Sequence, residues 1–222
     1  MPSLFVFGQN DSVTISGKVT DFTGQSIDGA LIMVKGDNFS TFVDTTYSDA
    51  KGDYSIIVNK GKYSGIAAVR MEDYNKTKLE FWAYEISAYE NLNINIRYDR
   101  LEVYGVNIFS VQGGYPGYTI YFRPMSLTRF KTADLNSDTI DIAPPTDMID
   151  IKIVVNEKRV RVNSIQRVVE YAGKQKMYAY LIQTELSEPS ETKYNKFQII
   201  VEDKENGDRG EAIYFKENLK CE

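Results

Sequence analysis

The chain of 222 residues contains no histidine and a single cysteine. Without imidazole it lacks the commonest general base and the commonest transition-metal ligand. Serine-histidine-aspartate triads, cysteine-histidine dyads and histidine-zinc sites are therefore excluded within it. The lone thiol, Cys221, can form neither an intramolecular disulfide nor a cysteine metal cluster. No apolar run approaches the roughly 18 residues that a membrane helix needs, so no membrane-spanning segment is expected. Lys and Arg number 26 against 31 Asp and Glu, a formal net charge of −5. That sign is wrong for binding a phosphate backbone, and no basic cluster with interleaved aromatics offsets it, so nucleic acid is not an expected partner. Neither a cofactor nor a metal is expected.

What is present favours pleated structure. Hydrophobic residues make up 42% and aromatics 13%, with 16 Tyr and 11 Phe, enough for buried strands. Alternating apolar and polar segments, punctuated by Gly, Asn and Asp, recur every 10 to 15 residues or so, the spacing of an antiparallel sandwich. Strands are expected at 12–20, 30–35, 40–48, 53–59, 64–70, 79–87 and 91–98. A second series starts at Leu101 and continues through 117–123, 138–142, 149–155, 158–162, 164–171, 176–185, 195–202 and 210–216. No segment carries a sustained helical stripe, so none is expected to be helical. The fold class is all-β: two tandem antiparallel sandwiches, 12–99 and 100–222, behind an N-terminal extension, 1–11. Asp99-Arg100 lacks a Pro, Gly or Ser linker, which implies close end-to-end packing with little freedom.

The stretches "SGKVTDFTGQSIDGALIMVKG" and "TTYSDAKGDYSIIVNKGKYSGIAAV" carry Gly17, Val19, Asp21, Gly24, Ile27, Gly29-Ala30, Val34 and Gly36, then Asp49, Gly52, Tyr54, Gly61 and Tyr63. In these residues, segment 12–98 resembles the carboxypeptidase regulatory-like domain. That resemblance implies a seven-stranded, prealbumin-like sandwich of the kind frequent in exported proteins of Bacteroidetes. Physically, Val13, Ile15 and Val19 share a strand face, Asp21 and Gly24 close a turn, Gly29-Ala30 permit close approach, and Tyr54, Ile56 and Val58 alternate inward. Ser26 stands where the family often has proline, and no transporter plug follows. The segment from Phe197 to Phe215, with a turn at Asn206-Gly207, resembles the closing hairpin of bacterial immunoglobulin-like domains, without their Cys and Trp core.

Four places invite chemistry. Asp49 and Asp53 flank Ala50-Lys51-Gly52, either as cation ligands or as a hairpin turn; the turn is preferred, because two acids cannot complete a calcium shell. Asp134, Asn136 and Asp138 alternate like calcium ligands, but Thr139 replaces the required Gly and Pro145 the distal Glu, and 203–208 reads as a hairpin. Tyr115 and Tyr118 in a Gly/Pro turn, with Trp82 beside Tyr84, are the candidate ligand-binding residues, as planar platforms for sugar rings. Strand packing is the reading their alternation favours for Tyr118, Trp82 and Tyr84, leaving Tyr115, between Gly114 and Pro116, as the exposed one. Arg123, inside an apolar run, is expected to pair with a buried acid.

The expected role is a non-catalytic interaction or scaffold module, periplasmic, cell-surface or secreted, contacting protein or glycan. A carbohydrate-binding module is the alternative, and a carboxylate-based hydrolase a third that no pair among the acids singles out. The start, Leu4 to Gly8, reads either as the tail of a secretory signal whose basic start is missing or as a first strand or frayed tag.

Overall fold

The structure is a computed structural model and describes residues 11–187 and 192–218. The reading of Leu4 to Gly8 lies outside the described residues. Strands β1 (Ser12–Thr20), β2 (Leu31–Lys35), β3 (Phe42–Tyr47), β4 (Asp53–Asn59), β5 (Gly61–Val69), β6 (Phe81–Ala88), β7 (Leu92–Asn93) and β8 (Ile96–Arg97) come first. Then follow β9 (Leu101–Phe109), β10 (Gly117–Ser126), α1 (Leu127–Thr132), β11 (Ile149–Val155), β12 (Lys158–Val160), β13 (Val162–Ala172), β14 (Gln175–Glu185), β15 (Tyr194–Asp203) and β16 (Arg209–Glu217).

The all-β expectation holds, and the local chemistry works as the residue types dictate. Val13, Ile15 and Val19 are buried from β1, and Tyr54, Ile56 and Val58 alternate inward from β4. Asp21 Oδ1 accepts from the Thr23 and Gln25 amides at 2.8 and 3.0 Å, while Gly24 takes φ +86. Gly29 serves differently from expectation: its φ is +69 and nothing lies near its missing Cβ, so it supplies a left-handed turn and not a close approach.

Three other expectations are corrected. Segment 91–98 breaks into β7 and β8, both parallel to β1, because Asn91 and Asn95 side chains bond the β1 amides of Thr14 and Lys18. Segment 138–142 makes only one bridge, Thr139 to Lys176, before Pro144-Pro145 ends any pairing. The chain is also not strand alone: α1 starts at Ser126, whose hydroxyl accepts from the Arg129 amide at 3.2 Å. Six residues are too short to show a helical stripe.

The sheets do not meet end to end. The strands β12-β11-β15-β16-β6-β5-β2-β3 form one eight-stranded sheet, in which β16 pairs parallel with β6 from Ala212↔Trp82 to Tyr214↔Tyr84. On one face Ala83 and Ile213 join the core under β4, β1 and β8. On the opposite face Tyr84 and Ala212, with Trp82 and Tyr214 against them, join the core under β13-β14-β10-β9. The two small sheets thus cover opposite faces of one large sheet, and β6 and β16 are covered on both sides. Gly210 makes the crossing of β9 over β16 so tight that a Cβ there would overlap the Leu101 carbonyl oxygen.

The segment between the sandwiches is pinned from both. Lys78 pairs with Asp99 at 2.8 Å, Leu79 N donates to the Asp99 carbonyl at 2.7 Å, and Arg100 pairs with fully buried Asp208 at 2.8 Å.

Candidate functional site: the Tyr115 loop and the aromatic joint

The loop between β9 and β10 turns at Gly113, φ +73, and re-enters the sheet at Gly117, where a side chain would strike the Thr184 carbonyl. This geometry turns Tyr115 outward at 62% exposure. Val111, Tyr115, Tyr118 and Gln183 line a shallow depression of about 120 Å³. Tyr118 contributes only an edge: it is buried, with its ring T-shaped on Phe197 at 4.8 Å and its hydroxyl accepting from Asn195 Nδ2 at 3.4 Å. Trp82 lies elsewhere, beside Glu102 at the start of β9, whereas Tyr115 follows its end, roughly 20–25 Å of strand away. The three aromatic candidates are not brought together.

Trp82 instead belongs to the joint between the sandwiches. Phe39 meets Trp82 and Tyr84 edge-on at 5.8 and 5.5 Å, and Tyr84 stacks with Trp82 at 6.2 Å and with Tyr214 at 6.4 Å. The Tyr84 hydroxyl accepts from Gly105 N at 2.8 Å, tying β6 to β9. Beside this row, buried Lys35 holds its ammonium 3.9 Å from the Phe42 ring centroid and 6.0 Å from that of Trp82. Buried Glu102 accepts from Trp82 Nε1 at 2.7 Å. Desolvation, reinforced by Glu80 and opposed by the Trp82 bond, pushes the Glu102 carboxyl up to about 8. Burial also raises Glu80 and lowers Lys35, each countered by the other's charge. Sequence reasoning missed this cluster; Glu102 alternating with apolar Leu101 and Val103 was the local signal.

The acidic turns are occupied by protein groups. Asp49 Oδ1 accepts from the Lys51 and Asp53 amides at 2.8 and 2.9 Å, bonds that hold its carboxyl below the usual range, while Asp53 pairs with Lys18 at 2.9 Å. Asp134 Oδ1 accepts from the Asn136 amide at 3.0 Å. In the β15–β16 turn Asp203 and Asp208 are fully buried: Arg129 grips Asp203 through two nitrogens at 2.6 and 3.2 Å and also meets Glu205, while Ser126, Thr128 and Arg100 surround Asp208. The hairpin expected at Asn206-Gly207 is therefore also a lock on α1. Among the described residues no three His, Cys, Asp or Glu side chains converge as a metal would require. Arg123 meets Glu170 at 2.9 Å and the Tyr121 hydroxyl at 3.0 Å; the acid is half-buried, not deeply buried.

Geometry and topology define a two-sandwich β protein whose polar interior is structural. The family model of the carboxypeptidase regulatory-like domain matches residues 14–96, so the first sandwich is such a domain. No curated protein matches. Among solved structures, the chain is similar to BcpA, the major pilin subunit of Bacillus cereus, in two crystal structures, at 15% and 12% identity, covering 92% of this chain and 69% of that one, TM-score 0.30. It is also similar to the major pilin SpaD of Corynebacterium diphtheriae, at 9% identity over 91% of this chain and 64% of that one, TM-score 0.29. Likeness at this level carries no inference about this chain. No helix among the described residues is long and apolar enough to cross a membrane.

Proposed function

We propose that the chain is a non-catalytic, secreted or envelope-associated bacterial scaffold whose two units, 12–99 and an immunoglobulin-like 100–222, act as one rigid body. The observation that supports it is the parallel β6–β16 pairing, which makes one sheet of two sandwiches. A body of this kind holds contact surfaces at a fixed spacing, as relative domain motion is small across a continuous apolar joint. The partner is a protein at the cell surface. The test is fractionation of the native producing cells, with a photo-crosslinking residue at Tyr115. Recovery in the envelope or medium with crosslinked protein supports the reading; a cytoplasmic chain sinks it.

A glycan is the second reading, favoured by one observation: the outward ring of Tyr115 shares its depression with the Gln183 amide, a stacking plane beside a hydrogen-bonding group. Glycan-array binding that Tyr115→Ala abolishes supports it, and an array without signal removes it.

A further inference from the structure

Each end of the eight-stranded sheet has one face that no small sheet covers. Toward β12 that face is polar: Ile151, Ile153, Ile199 and Val201 turn into the core, which leaves Lys152, Gln198 and Glu202 outside. Toward β3 it is apolar. Ile32 and Val34 enter the core, so Leu31 and Met33 point the other way, and their β3 partners Tyr47 and Thr45 share that side. At the Tyr47 end, the ring of Tyr47 with Asp28, Leu31, Arg70, Met71 and Glu72 lines a depression of about 460 Å³. That falls in the range of about 300–1,000 Å³ usual for small-ligand sites, whereas the depression beside Tyr115 holds about 120 Å³. Tyr47 is 64% and Met71 62% exposed. Both walls are fixed by hydrogen bonds. Gly29 N donates to the Ser48 carbonyl and Ser48 N to the Ala30 carbonyl, each at 3.0 Å, which holds the end of β3 against the start of β2. Arg70 N donates to the buried Tyr98 hydroxyl at 3.1 Å, and the Arg70 guanidinium pairs with Glu72 at 3.2 Å and Asp73 at 3.4 Å.

We propose that this depression is a saccharide-binding site, which takes a glycan without acidic groups and stacks one sugar ring on Tyr47. A sugar ring has an apolar C–H face and a rim of hydroxyls that both donate and accept. The depression offers the counterpart of each: the Tyr47 ring, Leu31 and Met71 for the face, the Arg70 guanidinium to donate, and the Asp28 and Glu72 carboxylates to accept. An apolar peptide side chain would instead have to desolvate these three charged groups without pairing them. Charge also selects among glycans. One guanidinium against two carboxylates leaves the lining net negative, so a uronic or sulfated sugar meets like charge. The inference rests on the glycan reading above for its class of ligand, but not on the Tyr115 loop for its place.

The test applies the full chain to an array of neutral, amino, uronic and sulfated oligosaccharides, then titrates the strongest ligand by calorimetry, with far-UV circular dichroism as the folding check. Binding of neutral or amino glycans and not of acidic ones is expected. Tyr47→Ala, at an exposed position, should weaken it about tenfold with a native spectrum, whereas Tyr47→Phe keeps the ring and most of the affinity. Arg70→Gln removes the donor and should weaken binding by a similar factor, while Tyr115→Ala leaves it unchanged. A signal that Tyr115→Ala abolishes and Tyr47→Ala spares overturns this site and leaves the loop reading standing. An empty array overturns both, and a preference for acidic glycans, or binding indifferent to Tyr47→Ala, overturns this proposal alone.

Discussion

Trp82 Nε1 donates to Glu102 Oε1 at 2.7 Å, and this bond joins β6 of the first sandwich to β9 of the second beneath a row of stacked rings. The carboxyl is 6% exposed and is raised to about 8 by desolvation first, then by Glu80, against the opposing Trp82 bond. A folded-state value above the unfolded one means that stability from this group is fully present below the unfolded value, near 4.5, and is lost as pH rises through about 8. Glu102→Gln keeps an acceptor for Trp82 and removes the ionisation. Urea unfolding at pH 5, 7 and 9 should show the native chain weakening across that range and the variant flatter, more stable at pH 9 by about 1–3 kcal/mol. Equal slopes would contradict the burial of this charge.

The lock on the last hairpin gives a prediction of opposite sense. Asp203 is fully buried and answered by Arg129, so Arg129→Met strands a charge in the interior and should cost about 3–5 kcal/mol in denaturant unfolding. Glu72→Gln removes the charge of the exposed Arg70–Glu72 pair, in which Glu72 is 82% exposed, and should cost under about 1 kcal/mol. The contrast between the two variants is the measurement. Similar small losses would show that the buried network carries little.

What was legible beforehand divides by range in sequence. Asp21 with Gly24 and Asp49 with Gly52 close turns within a few residues, so side-chain chemistry alone named them. The alternation of Tyr54, Ile56 and Val58 likewise announces which face is buried. The pairing of Ala212 with Trp82 joins residues far apart in the chain, and nothing in either strand's pattern names its neighbour. Strands covered on both faces, like β6, also read as near-continuous apolar runs, so alternation favoured strand packing for Trp82 but could not name the joint it packs into. Glu102 was hidden for the same reason: one acid in an apolar strand becomes meaningful only once its far partner is placed.

Gly210 supplies a steric prediction at that joint. A Cβ there would overlap the Leu101 carbonyl oxygen, and backbone cannot rotate away as a side chain can. Gly210→Ala should therefore cost more than the usual 1–3 kcal/mol of overpacking, roughly 3 kcal/mol or more, or prevent recovery of folded protein. Gly61→Ala, at a strand residue with nothing near the new Cβ, should be neutral or slightly stabilising. Thermal melts of both check the close crossing of β9 over β16; a harmless Gly210→Ala would mean that the strands stand further apart.

Tyr115 and Tyr118, three residues apart, should separate binding from folding. Tyr118 is buried with its ring edge-on to Phe197 at 4.8 Å, so Tyr118→Ala removes core packing and should lower stability by about 3–5 kcal/mol. Tyr115 is 62% exposed, and Tyr115→Ala should leave the unfolding midpoint nearly unchanged, within about 0.5 kcal/mol. Any partner or glycan captured by this loop should be lost with Tyr115→Ala while the far-UV spectrum stays that of the native chain. Tyr118→Phe supplies the control, because it keeps the ring on Phe197 and removes only the long hydroxyl contact to Asn195. A binding loss with Tyr118→Phe but not with Tyr115→Ala would move the contact surface from the loop tip to the strand beneath it.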